Sequence, residues 1–336
     1  MWVLVPAPAE AKEDGVKAAA PRHATPVQIG IKLQQVTQVD QRAQNFGVVA
    51  TVLMQWHAPT LGYDPDSDPC KCKVKVLKDG GFDQLLTEKG ERWPEFTIFN
   101  QQGNRFTQNR AFVIQPDGTA SYFERFTTTL QAPDFNFRRF PFDTQEFFIH
   151  VDSLYPEEFY VFKELERYSE VATLLGQQEW VVEGFDTFVS SVTASTRSIT
   201  SRFSFKITAH RNRNYYVFRI LIPITVILLV GWATFFVRDY GRRIDLSTGM
   251  LLVFVAFNFT ISNDLPRLGY LTFLDTLVFS AFMVTSFVVL VNMHLYRTVV
   301  SGKEALAHQL DRYLIVGYPV VWFAGVLVML LQFGIL

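Results

Sequence analysis

The spacing of hydrophobic and polar positions changes once along this chain, near Arg213. Before that point short segments alternate with a period of two, as half-buried strands do. Val27-Gln-Ile-Gly-Ile-Lys-Leu-Gln34 is the clearest of them. Phe46 to Trp56 follows, and then a loop dense in turn formers from Ala58-Pro59 to Pro69. Ala111 to Ile114 and Thr119 to Thr127 flank Pro116-Asp117-Gly118, which predicts a hairpin. Trp180 to Val192 and Arg202 to His210 read as two further strands around a Ser/Thr-rich tip, and only Glu158 to Leu175 has a helical look. Many short strands separated by turns predict a β-sandwich over residues 27–212.

Residues 213–336 carry four apolar runs, at about 216–237, 244–264, 273–295 and 313–333. Each approaches the ~20 residues that, at ~1.5 Å apiece, take a helix across the ~30 Å hydrocarbon core of a bilayer. The first, third and fourth are apolar all round; Pro223 and Gly231 inside the first are tolerated in membrane helices. The second differs. At steps of three and four, Asp245, Gly249, Leu252, Ala256, Phe259 or Thr260, and Asn263 share one stripe, while Met250, Leu251, Val253, Phe254, Val255 and Phe257 fill the rest. Such a helix wants lipid or protein on one side and water on the other. One copy cannot enclose water, so the pattern predicts several copies in a ring. Small and polar residues also glue helices together, so a packed seam is the competing reading. The ionisable Asp245 favours the pore, because an intramembrane carboxylate is costly without a function.

Charge orients these spans. Arg238, Arg242 and Arg243 lie between the first two, and Arg297, Lys303 and Arg312 between the last two, against Arg211, Arg213 and Arg267 on the other side. The excess puts the short loops in the cytoplasm and the sandwich and both termini outside. The segment Tyr296 to Asp311 reads as a loop too short for a cytoplasmic domain. Residues 1–26, rich in Ala and Pro, read as a linker or the remnant of a preceding region; Met1 to Val5 lacks the basic flank and length of a secretory signal.

Composition adds mainly exclusions. The 336 residues are 49% hydrophobic with a formal net charge of −1, so no basic face argues for nucleic acid. The six histidines are scattered, and no HExxH, phosphate loop or nucleophile elbow is present, which argues against an enzyme. Cys70 and Cys72 are too few for a disulfide framework and read as free thiols or a local bridge. Asp64, Asp66 and Asp68 place three carboxylates in one loop at spacing two, a pattern that suits a hard cation such as calcium acting as a modulator, or merely a solvated acidic loop.

An external sandwich followed by four spans, the second of them pore-like, resembles the pentameric ligand-gated ion channels. Phe140-Pro-Phe-Asp143-Thr-Gln145 matches the FPFDxQ of that family's signature loop; Pro133 and Phe147 stand where vertebrate members have the two cysteines that close it. Ala256-Phe-Asn258 with Asn263-Asp-Leu-Pro266 and Tyr270 looks like the end of the family's second helix and the linker after it. Arg211 is similar to the arginine at the sandwich–membrane junction, and Trp93-Pro94-Glu95 with Asn100 is close to another family segment, with the Trp one place nearer the Pro. The absent cysteines and the short loop before the last helix are similar to prokaryotic members.

The resemblance implies a homopentamer in a lipid bilayer, opened by a ligand at the sandwich interfaces. Asp40, Asp143 and Arg211 are expected to cluster at the base of the sandwich, with Phe142 wedged against the linker Leu265 to Tyr270, Pro266 included. Those charges would otherwise only solvate a boundary. A ring of Asp245 favours cations, although Arg242 and Arg243 oppose it, and Leu252 and Phe259 are the expected constrictions. For the ligand, only Phe99 falls on a cage position; Leu154 with Tyr155 beside it, and Phe188, are the remaining candidates. An amine is therefore disfavoured, and a proton, a divalent cation or another small ligand stays open. The alternative is a membrane-anchored sandwich sensor or binding protein without a pore.

Overall fold

In the computed structural model, residues 24–78, 80–173, 179–262 and 268–336 are described. Two sheets face each other. The larger has the strand order β3 (Lys75–Leu77), β5 (Gln101–Ile114), β6 (Thr119–Gln131), β2 (Asn45–His57), β1 (Thr25–Asp40), β8 (Tyr160–Glu164), with β9 (Glu170–Val171) also pairing β1. The smaller runs β10 (Trp180–Thr193), β11 (Ile199–Arg211), β7 (Thr144–Pro156), β4 (Phe96–Ile98). Alternation sets the facing: Ile29, Ile31 and Leu33 of β1 and Phe203, Phe205 and Ile207 of β11 are buried between the sheets. The hairpin at Pro116-Asp117-Gly118 forms as expected, with Thr119 N–H donating to the Asp117 carboxylate at 2.9 Å.

The helical expectation for Glu158 to Leu175 is corrected over its described part, which ends at Thr173. Residues Tyr160–Glu164 are a strand in parallel register with Thr25–Ile29, and Glu170–Val171 pairs Lys32–Leu33. Tyr160 and Phe162, two apart, both face the core, so period two outweighs the helix-forming Glu and Leu around them. The sandwich's described helix is instead α1 (Gly81–Lys89), which turns Phe82 and Leu86, one helical turn apart, into the core and ends on Gly90 in the left-handed region at φ 64°. Phe82 stacks on Phe112 at 3.5 Å between centroids, and Trp93 lies 5.2 Å from Phe112 and 4.9 Å from Tyr122, closing one end of the sandwich with rings.

Four helices long and apolar enough to cross a membrane follow. The first span, Asn214–Phe236, consists of α2 (Asn214–Tyr216), a π turn Val217–Leu221, α3 (Ile222–Ala233) and a 3-10 turn Thr234–Phe236. Pro223 at the start of α3 has no N–H to donate back to the π turn. The others are α4 (Tyr240–Ile261), α5 (Phe273–Val300) and α6 (Glu304–Gln332). The expected loop Tyr296 to Asp311 is thus corrected: only Ser301–Lys303 separates α5 from α6, because helix continues into the polar ends where Arg297, His308 and Asp311 sit. Gly231 lets α4 come close, for a Cβ there would meet Met250 Sδ at 2.9 Å.

Candidate functional site

The second span is built as two opposed faces. Arg243, Ser247, Met250, Phe254 and Ile261 of α4 are buried against the other helices. Half a turn away, Asp245, Gly249, Leu252, Ala256, Phe259 and Thr260 are all exposed, Leu252 at 70% and Phe259 at 73%. The polar stripe is therefore no seam inside one chain. Asn263, its last member, lies outside the described residues, as do Leu265, Pro266 and Arg267. At the start of α4 the two arginines part company: Arg242 is exposed, whereas Arg243 points away from the stripe into a bidentate pair with Asp311 of α6, at 2.6 and 3.0 Å. The expectation that Arg243 opposes Asp245 is corrected by that pairing, which takes its charge off the stripe.

The junction between sandwich and helices centres on Arg211, the last residue of β11 and 1% exposed. Its Nε and Nη2 donate to the two Asp143 oxygens at 3.1 and 3.3 Å, and its Nη1 donates to Glu179 and, at 3.3 Å, to the Tyr216 hydroxyl. The Phe140, Trp180 and Tyr216 rings surround the guanidinium, at 4.7, 4.3 and 5.7 Å. Burial alone would ease the proton off this guanidinium; Asp143, with Tyr216 and Glu179 adding to it, reverses that and holds its pKa above the usual value. Gln145, also from the signature segment, donates to Asp143 at 2.6 Å and to the Asn136 carbonyl at 2.8 Å, so the loop is fastened at both ends. Asp40 is not part of the cluster. Its carboxylate accepts from Arg42 and Ala43 N–H at 2.9 and 3.0 Å and holds its own turn, while its neighbour Gln41 reaches Glu179 at 3.1 Å.

Phe142 meets the helices at the start of α5; of the expected segment Leu265 to Tyr270, the first three residues lie outside the described residues. Its ring packs edge-on to Phe273 at 5.7 Å, at the start of α5. Tyr270 binds the loop by its hydroxyl, which accepts from Phe137 N–H at 3.0 Å, and Phe273 N–H donates to the Arg138 carbonyl at 2.9 Å. Arg139 Nε reaches the Phe333 carbonyl just past α6 at 3.1 Å. One loop of the sandwich thus touches the segment leading into α5 and the end of α6 around a polar cavity of about 630 Å³.

The ligand candidates lie on the outer face and edge of the smaller sheet. Phe99 is 62% exposed, yet the Arg202 guanidinium sits 4.0 Å from its centroid, held there by Asp152 at 2.6 and 2.7 Å. A cation already covers the ring face that would draw a quaternary amine. Leu154 and Phe188 are exposed, and the half-buried Tyr155 donates its hydroxyl to Glu95 at 3.3 Å. The three acids of the loop after β2 do not converge. Asp68 pairs with Lys75, whose hydrogen bond holds the Asp68 carboxyl below its usual range, and Asp64 accepts from Asp66 N–H at 3.1 Å. Among the described residues no group of three His, Cys, Asp or Glu is placed to hold a metal ion, which corrects the cation-site reading. Cys70 and Cys72 are bonded to each other, so the free-thiol reading falls.

With this geometry in place, a family model of the neurotransmitter-gated ion-channel ligand-binding domain matches residues 15–220, more than half of the chain. The chain belongs to this ion-channel family. It is accordingly no enzyme but a multi-pass membrane chain of the pentameric ligand-gated channels, with its sandwich outside. Relatives in the family include a proton-gated ion channel of Gloeobacter violaceus, 25% identical over 315 residues that cover 92% of this chain and 83% of that one. A gamma-aminobutyric acid receptor subunit beta-like protein of Drosophila melanogaster is 23% identical over 221 residues, 61% of this chain and 43% of its own. An acetylcholine-gated chloride channel subunit of Caenorhabditis elegans is 23% identical over 285 residues, 81% and 58%. The channel chain thus spans most of the Gloeobacter relative and about half of the animal subunits. The sensor without a pore loses its support with this membership. Three residues of this channel chain escape a motif reading: Glu179, Arg202 and Asp311. Each acts across a contact between strands or helices far apart in sequence, so no local pattern marks it.

Proposed function

We propose that the chain forms a homopentameric, cation-conducting channel whose pore wall is the stripe Asp245, Gly249, Leu252, Ala256, Phe259, Thr260 and Asn263. The observation that carries this reading is the opposition of faces on α4: the described residues of the stripe, Asp245 to Thr260, are exposed while the opposite side is buried in its own chain. Four neighbours around an axis would turn that exposed side inward. Five Asp245 carboxylates would then favour cations near the cytoplasmic mouth, and Leu252 and Phe259 would close the path by dewetting. Asp143, Arg211, Phe142 and Tyr270 would carry motion from the sandwich to the segment around Pro266, since they share one hydrogen-bonded junction with the start of α5.

For the stimulus, we favour a proton or divalent cation over an amine. Arg202 over Phe99 opposes an amine, and the proton-gated relative is similar over nearly the whole chain. Purified protein in planar bilayers, stepped in pH and then in divalent concentration under a sodium chloride gradient, tests conduction, ion sign and stimulus together. Current that opens on a pH or divalent step and reverses near the sodium potential is expected. Current only on adding an amine, or reversal near the chloride potential, contradicts the respective part.

A further inference from the structure

We infer that Asp311, on the last helix and far from the stripe in sequence, is a specificity-determining residue of the pore: its carboxylate keeps the Arg243 charge off the ion path. The inference rests on the stripe being the pore wall. Arg243 and Asp245 are two residues apart, hence about 200° apart around the helix. Asp245 is on the exposed side and Arg243, 3% exposed, on the buried side. Nothing local can neutralise Arg243. The first turn of α4 holds no acid, and Asp239 before it is occupied as the cap, accepting from Gly241 and Arg242 N–H at 2.9 and 3.2 Å. The positive end of the helix dipole makes two arginines there unfavourable as well.

The missing charge comes from α6. Both Asp311 oxygens accept from Arg243, at 2.6 and 3.0 Å, and the Tyr240 hydroxyl donates to Oδ2 at 2.8 Å. Tyr240 also lies under the guanidinium, 4.3 Å from centroid to Cζ, and its hydroxyl is 3.4 Å from His308 Nδ1. Arginine, ring and carboxylate thus form a closed, neutral unit behind the pore helix. On the exposed side Arg242 offsets part of the Asp245 charge, so the cation preference of the mouth is sensitive to any added charge. One further uncancelled positive charge per subunit would decide its preference.

The test is the sodium-to-chloride permeability ratio from reversal potentials in a salt gradient. Asp311→Asn should lower the ratio about tenfold, the size of an unscreened charge acting over roughly 10 Å at intermediate dielectric. Arg243→Gln added to Asp311→Asn should bring the ratio back to that of the parent. An unchanged ratio in Asp311→Asn, or no return in the double variant, overturns the inference. Should Asp311→Asn fail to assemble, the exchange Arg243→Asp with Asp311→Arg keeps the pair and must match the parent only if the pair is closed to the pore; because the swap puts the positive charge on α6, a changed ratio overturns it. Without any current, thermal midpoints decide: the double variant must melt above Asp311→Asn alone, and additive losses overturn the pairing. A parent channel that prefers chloride contradicts the cation reading instead, since the shift between parent and variant is still read.

Discussion

Both halves of the molecule bury an arginine beside an acid, and they do so in opposite ways. Arg211, at the base of the sandwich, has two acids, a tyrosine hydroxyl and three rings around it. Arg243, at the foot of the second span, has one acid, the Val237 carbonyl and one ring. The first arrangement has a spare partner: Glu179, with a side chain 36% exposed, backs up Asp143, which is 1% exposed. The second has no second acid, only the Val237 carbonyl. A buried ion pair is weak evidence for stability as a whole, yet removing one member leaves a charge stranded. The lesson is that the junction can absorb a change at its rim and the helix foot cannot.

The largest effect should come from the junction's centre. Arg211→Ala strands Asp143 away from water and should cost about 3–5 kcal/mol, enough to abolish assembled protein on size exclusion. Recovery of a normal oligomer would show that the cluster is ornamental. Asp311→Asn should come next, because Arg243 has no second acid; a loss of about 3 kcal/mol, read as a lower thermal midpoint, is expected. Glu179→Gln should cost less than about 1 kcal/mol, as a half-exposed partner with Asp143 still in place. Equal losses for the last two would break the contrast between the arginines.

A smaller, pH-dependent effect belongs to a third cationic site. His150 donates or accepts with Ser204 at 2.9 Å and stacks on Phe148 at 5.2 Å. Burial first, and Arg202 second, hold its pKa below the usual histidine value. As pH falls below that usual value the unfolded chain takes the proton before the folded one, so stability falls until the folded pKa is passed. His150→Gln should therefore flatten the drop in thermal midpoint between about pH 8 and about pH 5, roughly the range of histidine titration. An undiminished drop would assign it to other groups.

Much of this is legible in the sequence. The strands around Val27 to Gln34 and Trp56, the hairpin at Asp117 and the four spans are all visible as periods of two or as long apolar runs. Arg211 with Asp143 was readable from the signature segment. Asp40 misled because it adjoins the junction in sequence, while its carboxylate closes its own turn; Gln41 makes the contact instead. The helix Gly81–Lys89 hides because only Phe82, Leu86 and part of Leu85 face inward over a short length. Arg243 and Arg242 look alike in sequence and differ only through Asp311, which is on another helix.

The central claim is that water follows the exposed stripe of α4, and cysteine scanning tests it most directly. Among the described residues the native cysteines are bonded to each other, leaving no free thiol as background. Cysteine at 245, 249, 252, 256 or 259 should let a charged methanethiosulfonate applied to the channel change its current irreversibly. Cysteine at 247, 250 or 254, on the buried side, should not. Modification at Phe254→Cys and Met250→Cys with none at Leu252→Cys and Phe259→Cys would contradict the account.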